Sequence, residues 1–192
     1  MRKKLLHLIL VLFMFIPSVF SQKTIINWGD ESKKELQYGS FVIGKNNDLI
    51  KLCFEVHGGG LFSKKTVTPV LSRYNSQLKE MVVKSFEVDD DKMEYEKLMS
   101  IRGKLFLFTS QYDKSAKNTS FYCQQLDIET LNPTEKPINL GSFDAVSKKS
   151  QSSIQYELSK DSSKVLMFGL SPFSKKDNEK YYMGVYDDNM KK

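Results

Sequence analysis

Residues 98–127 can be laid over residues 158–187 without a gap, and this repetition constrains the fold more than any other feature of the chain. Leu98 meets Leu158, Lys104 meets Lys164, Phe108 meets Phe168, Asn118 meets Asn178, Tyr122 meets Tyr182 and Asp127 meets Asp187. Leu105-Phe106-Leu107 falls on Val165-Leu166-Met167, apolar on apolar. A fainter copy precedes them. Arg73-Tyr74-Asn75-Ser76-Gln77-Leu78-Lys79 matches Val185-Tyr186-Asp187-Asp188-Asn189-Met190-Lys191: an aromatic ends a strand, Asn or Asp turns, and an apolar residue followed by Lys restarts. A register that survives two loops is the mark of a structural repeat, in which each unit buries its apolar face on the next.

The repeated unit is made of strands. Apolar and aromatic residues, among them 13 Phe and 9 Tyr, favour pleated, half-buried surfaces. Strands are expected at Asp48–Val56, Thr66–Tyr74, Leu78–Glu87, Tyr95–Ile101, Lys104–Gln111, Ser120–Asp127, Lys136–Leu140, Ser153–Leu158, Lys164–Leu170 and Lys180–Asp187. Between them lie turn residues: Lys45-Asn46-Asn47-Asp48, His57-Gly58-Gly59-Gly60, Arg102-Gly103, Asn132-Pro133 and Lys160-Asp161-Ser162-Ser163. Asp89 to Met99 is the best helical stretch, or else an acidic loop feeding a strand. The expected class is all-β, built of consecutive four-stranded antiparallel sheets.

Four antiparallel strands per repeat describe a propeller blade. The phrase Leu158-Ser159-Lys160-Asp161-Ser162-Ser163-Lys164-Val165-Leu166 resembles the first hairpin of a blade in secreted bacterial β-propeller-like repeat proteins. In that family a Ser-x-Asp turn precedes an inner strand, and a later strand ends on aromatic-Asp. The resemblance spans residues 48–192 and implies a partial β-propeller of about three blades, the last incomplete and the region truncated at its C-terminal end. The chain departs from propellers that carry a Trp-Asp pair, its single Trp being Trp28.

The N-terminus reads as an address. Met1-Arg2-Lys3-Lys4 is basic, Leu5 to Ile16 is apolar except for His7, and after Pro17 the modest Val19 and small Ser21 stand at the −3 and −1 positions before Gln22. That is a signal peptide of residues 1–21, cleaved between Ser21 and Gln22. Its apolar run is shorter than the ~20 residues a spanning helix needs. The expected location is therefore secreted or periplasmic, with no membrane contact after cleavage. Residues 22–47 form a lead-in to the repeats. Arg2, Lys3 and Lys4 leave with the leader, so the chain's net charge of +6 falls to about +3. A nucleic-acid surface needs a clustered basic face. Lys64-Lys65, Lys148-Lys149 and Lys175-Lys176 are instead scattered pairs in turns, and no nucleic-acid partner is expected.

No set of residues marks catalysis. His57-Gly58-Gly59-Gly60 echoes an oxyanion-hole segment of some esterases, but neither a G-x-S-x-G elbow nor a second mature His accompanies it. Gly169-Leu170-Ser171-Pro172-Phe173 lacks the second Gly. Cys53 and Cys123, 70 positions apart, have no zinc spacing, and are read either as a disulfide or as buried thiols. Glu87, Asp89, Asp90, Asp91, Glu94 and Glu96 form an acidic cluster without the glycine of a calcium loop. Asn118-Thr119-Ser120 is a chance sequon. Catalytic, metal and cofactor residues are thus expected to be absent. The reading is a non-catalytic binding or scaffold protein with a protein or glycan ligand. The alternative is the N-terminal part of a secreted propeller hydrolase whose active-site residues lie beyond residue 192.

Overall fold

The computed structural model describes residues 36–44, 46–57, 66–86, 93–145, 153–172 and 178–192. The leader with its Ser21/Gln22 cleavage site, Gly58-Gly59-Gly60, the three lysine pairs and residues 87–92 lie outside these. Among the described residues every regular element is a strand: β1 Leu36–Ile43, β2 Leu49–His57, β3 Thr66–Tyr74, β4 Glu80–Ser85, β5 Met93–Ile101, β6 Lys104–Asp113, β7 Asn118–Leu126, β8 Ile138–Asp144, β9 Ser153–Leu158, β10 Val165–Leu170 and β11 Tyr181–Tyr186. The strands expected from alternation all form. The stretch proposed as a helix contributes β5 instead.

The strands form three antiparallel sheets in chain order: β1-β2-β3-β4, β5-β6-β7-β8 and β11-β10-β9. Strands next to one another in sequence are neighbours within each sheet, and the protein is all-β with sheets of four, four and three strands. The sheets stack face to face. β6 explains how. Leu105 and Leu107 point to one side, where Ile50, Leu52 and Leu71 of the first sheet meet Leu98, Leu126 and Leu131. Phe106 and Phe108 point to the other, against Tyr156, Val165, Met167 and Tyr186 of the third sheet. A period-2 strand covered on both faces reads as an unbroken apolar run, and Leu105-Phe106-Leu107-Phe108 is that run.

Leu107 and Met167 therefore face the same way, each back toward the preceding sheet. The pairing repeats as well. Leu107 opposes Gln124 and Met167 opposes Gly184; Leu105 opposes Leu126 and Val165 opposes Tyr186. One part of the sequence overlay does not hold. Leu107 pairs with Leu98, whereas Met167 pairs with Tyr156, so Tyr156 rather than Leu158 occupies the place of Leu98. The physical reason is the hairpin: Arg102-Gly103 turns in two residues, while Ser159–Lys164 takes six. Leu98 is accordingly buried and Leu158 is 37% exposed.

The turn after the third strand of each sheet is the same device. After β3, Asn75 Oδ1 accepts the Gln77 and Lys79 amides, and Leu78 adopts φ 60°. After β11, Asp187 Oδ1 accepts the Asn189 and Lys191 amides, and Met190 adopts φ 56°. After β7, Asp127 Oδ1 accepts the Glu129 and Thr130 amides, and Leu131 adopts φ 58°. A left-handed conformation costs a non-glycine residue roughly 1 kcal/mol or more. Burial of Leu131 and Met190 in the inter-sheet cores offsets it.

β1 lies in the segment assigned from sequence to the lead-in. Its alternation is weakened by Gly39-Ser40, and a register shift falls between Tyr38 and Phe41. The glycine is needed there: a Cβ on Gly39 would stand 2.8 Å from the Leu52 carbonyl oxygen.

Candidate functional site

Polar groups converge where the first strands of the three sheets approach one another. The Leu98 amide of β5 donates to Ser40 Oγ of β1 at 2.7 Å, and Lys97 Nζ donates to the Tyr156 carbonyl of β9 at 3.0 Å. Between them a bulge interrupts β5. Tyr95 opposes Thr109 and Lys97 opposes Phe108, leaving Glu96 as the extra residue. A bulge re-aims the side chain it adds. Here it brings the Glu96 carboxylate to Ser110 Oγ, which donates to Oε1 at 2.6 Å.

Much of Glu96 is solvent-exposed, yet its carboxylate end is crowded. The crowding governs ionisation, because Ser110 is only 2% exposed. Burial raises the Glu96 pKa; the Ser110 hydrogen bond opposes that rise, and Glu94 adds to it. Nearby, the Tyr156 ring packs on Phe108 with centroids 4.7 Å apart, and its buried hydroxyl has no hydrogen-bond partner among the described residues. Burial raises its pKa far above the phenolic range, and Glu96, Cys123 and Tyr186 raise it further. Beyond Tyr156, Tyr182 and Tyr186 share a 2.5 Å hydroxyl contact, and Tyr186 donates to the Leu140 carbonyl at 2.9 Å.

The arrangement leaves its hydroxyl and thiol closed to a substrate. Ser110 has a carboxylate acceptor, but a nucleophile needs access to its substrate as well as a base. Its burial denies that access. Cys123 is equally closed, its thiol pKa pushed far up by burial, and a thiol reacts through its thiolate. Cys53 and Cys123 are both buried and free, on β2 and β7 of different sheets. His57 lies 3.5 Å from Glu55 at an exposed strand end. Of the acidic cluster, Glu94 and Glu96 lie among the described residues. No three His, Cys, Asp or Glu among those residues come together to hold a metal.

A second polar group ties the turns at one end of the stack. Arg73 Nε and Nη2 donate to Asp48 Oδ2 at 2.9 and 2.6 Å, while Nη1 binds the Glu129 carboxylate of the next sheet. Lys104 Nζ reaches Asp188 Oδ2 at 3.1 Å and Asn189 Oδ1 at 2.8 Å, joining the second sheet to the third. The Ser-x-Asp phrase forms the β9–β10 hairpin. Asp161 Oδ1 accepts from the Ser159 hydroxyl and from the Ser163 hydroxyl and amide, which lowers its pKa to about 2. That hairpin meets its neighbour: the Arg102 amide donates to the Ser162 carbonyl at 3.0 Å.

The Glu96 cluster has a faint signal in sequence. Ser110 is a small hydroxyl closing an apolar run, and a bulge that turns a glutamate toward it follows from no periodicity.

Fold and site together define an all-β protein of face-stacked antiparallel sheets with a polar seam at their first strands. The chain matches no family model, no curated protein and no solved structure. No helix among the described residues is long and apolar enough to cross a membrane.

Proposed function

We propose that this chain is an exported, non-catalytic β-propeller-like protein that binds a protein or glycan through the loops at the ends of its sheets. The common direction of Leu107 and Met167 carries the reading. Sheets that follow chain order and always turn the same face to their predecessor pack as blades do. The turn repeated at Asn75, Asp127 and Asp187 supports the same unit. Closed Ser110 and Cys123 side chains support binding over catalysis. The basic, then apolar, start from Met1 to Ser21 supports export.

The test pairs the mature chain with a glycan array and with chromogenic ester, glycoside and peptide substrates. Saturable binding without turnover is expected. Turnover abolished by Glu96→Gln would overturn the non-catalytic reading, and intact protein retaining Met1–Ser21 in the membrane fraction would overturn export.

A further inference from the structure

Three consecutive residues of β5 tie the three sheets together, and the first of them carries a carboxyl. Leu98 gives its amide to Ser40 Oγ of β1, and Lys97 gives its ammonium to the Tyr156 carbonyl of β9. β5 and β9 each stand at an edge of their sheet, so side chains rather than a strand ladder make this seam. The bulge between Tyr95 and Lys97 sets where both residues lie. Glu96, the residue it adds, is fastened to β6 by the Ser110 hydroxyl, which donates to Oε1 at 2.6 Å. One hydrogen bond therefore holds the bulge on which two cross-sheet contacts depend.

The surroundings of that carboxyl favour its proton. On β5 it is flanked by Glu94 and Lys97; Ser110 meets it from β6, and Tyr156 interacts with it from β9. Cys123 of β7 and Tyr186 of β11 act on Tyr156 in turn. Lys97 is committed to the Tyr156 carbonyl, while the like charge of Glu94 bears on Glu96 directly. Crowding and a like charge both disfavour the ionised form. An ionised side chain has an exit, because much of Glu96 already lies in water.

We propose that Glu96 is a pH-operated latch on this seam. Neutral, it lies against Ser110 and holds the bulge that sets Lys97 and Leu98 on their partners. Ionised, it swings into solvent, and the contacts to Ser40 and Tyr156 come apart while the sheets stay folded.

Backbone amide exchange of the purified chain tests this, read residue by residue from about pH 4 to about pH 8 and corrected for the intrinsic rate. Leu98 should lose protection about tenfold or more as pH rises, while Phe108 and Cys123 on the β6–β7 ladder keep theirs. Glu96→Gln retains the acceptor oxygen without the charge, and should keep Leu98 protected throughout. Glu94→Gln removes the like charge, and should move the change to lower pH without abolishing it. Ser110→Ala removes the anchor, and should leave Leu98 unprotected at both ends of the range. Constant protection of Leu98 overturns the latch, as does a pH response that survives Glu96→Gln. Loss of protection at Leu98 and Phe108 together overturns it too, because the whole sheet would then be opening.

Discussion

Gly169 of β10 sits against Phe143 of the neighbouring sheet so closely that a Cβ there would lie 2.9 Å from the ring. Ile154 is closer still, its Cδ1 2.6 Å from the same point. Phe143 presses from the second sheet, while Ile154 is the residue opposite Gly169 on β9 of its own sheet. Gly169→Ala should therefore destabilise by about 2 kcal/mol through overpacking. Ile154→Val removes the nearest atom, so the double variant should lose less than the sum of the two singles. Urea unfolding of the four proteins measures this, and full additivity would mean the contact is not the cause.

Arg73 binds carboxylates of two sheets, and Asp48 is only 8% exposed. Arg73→Met leaves that buried charge uncompensated and should cost about 3 kcal/mol. Adding Asp48→Asn should recover part of the loss. Lys in place of Arg73 should fall between, since it lacks the planar fork that reaches both partners. Thermal unfolding of the set decides the order.

Glu96 makes stability depend on pH in a defined direction. Its folded-state pKa is raised, so the fold favours the neutral carboxyl. Below the ordinary carboxylate range both folded and unfolded chains hold the proton and there is no penalty. Between that range and the raised folded value the unfolded chain has released its proton and the folded chain has not, so stability falls as pH rises. Above the folded value the loss is complete. Glu96→Gln should flatten this decline, and unfolding curves from about pH 4 to about pH 8 compare the slopes. Parallel slopes would remove Glu96 from the account.

Asp187 and Asn75 perform one task with different side chains. Asp187→Asn should consequently be tolerated, whereas Asp187→Ala should lower the melting temperature as its amide hydrogen bonds go. If the Asn variant loses as much as the Ala variant, the carboxylate's charge matters more than its acceptor oxygen.

The strand positions were legible because alternation and turn chemistry agree. Thr66–Tyr74 and Ser153–Leu158 begin and end where expected. The common facing of Leu107 and Met167 followed from the repeat, though not which residues they pack against. β1 was hidden because Gly39-Ser40 breaks the apolar pattern, and its reason for forming is tertiary: Leu52 approaches from β2. Glu96 was read as part of an acidic cluster, since nothing in an alternating strand announces the extra residue that turns a carboxylate inward. The two-residue slip at Tyr156 was invisible for a related reason. An overlay of letters does not register how many residues a hairpin spends in its loop.

Both faces of β6, inside the second sheet, are covered. Peeling away either neighbour would uncover a continuous wall of leucine or phenylalanine, so neither outer layer can come off while the rest stays folded at little cost. The chain should melt as a single unit, and a newly made polypeptide would have to bring all three layers together before any one of them is safe from aggregation.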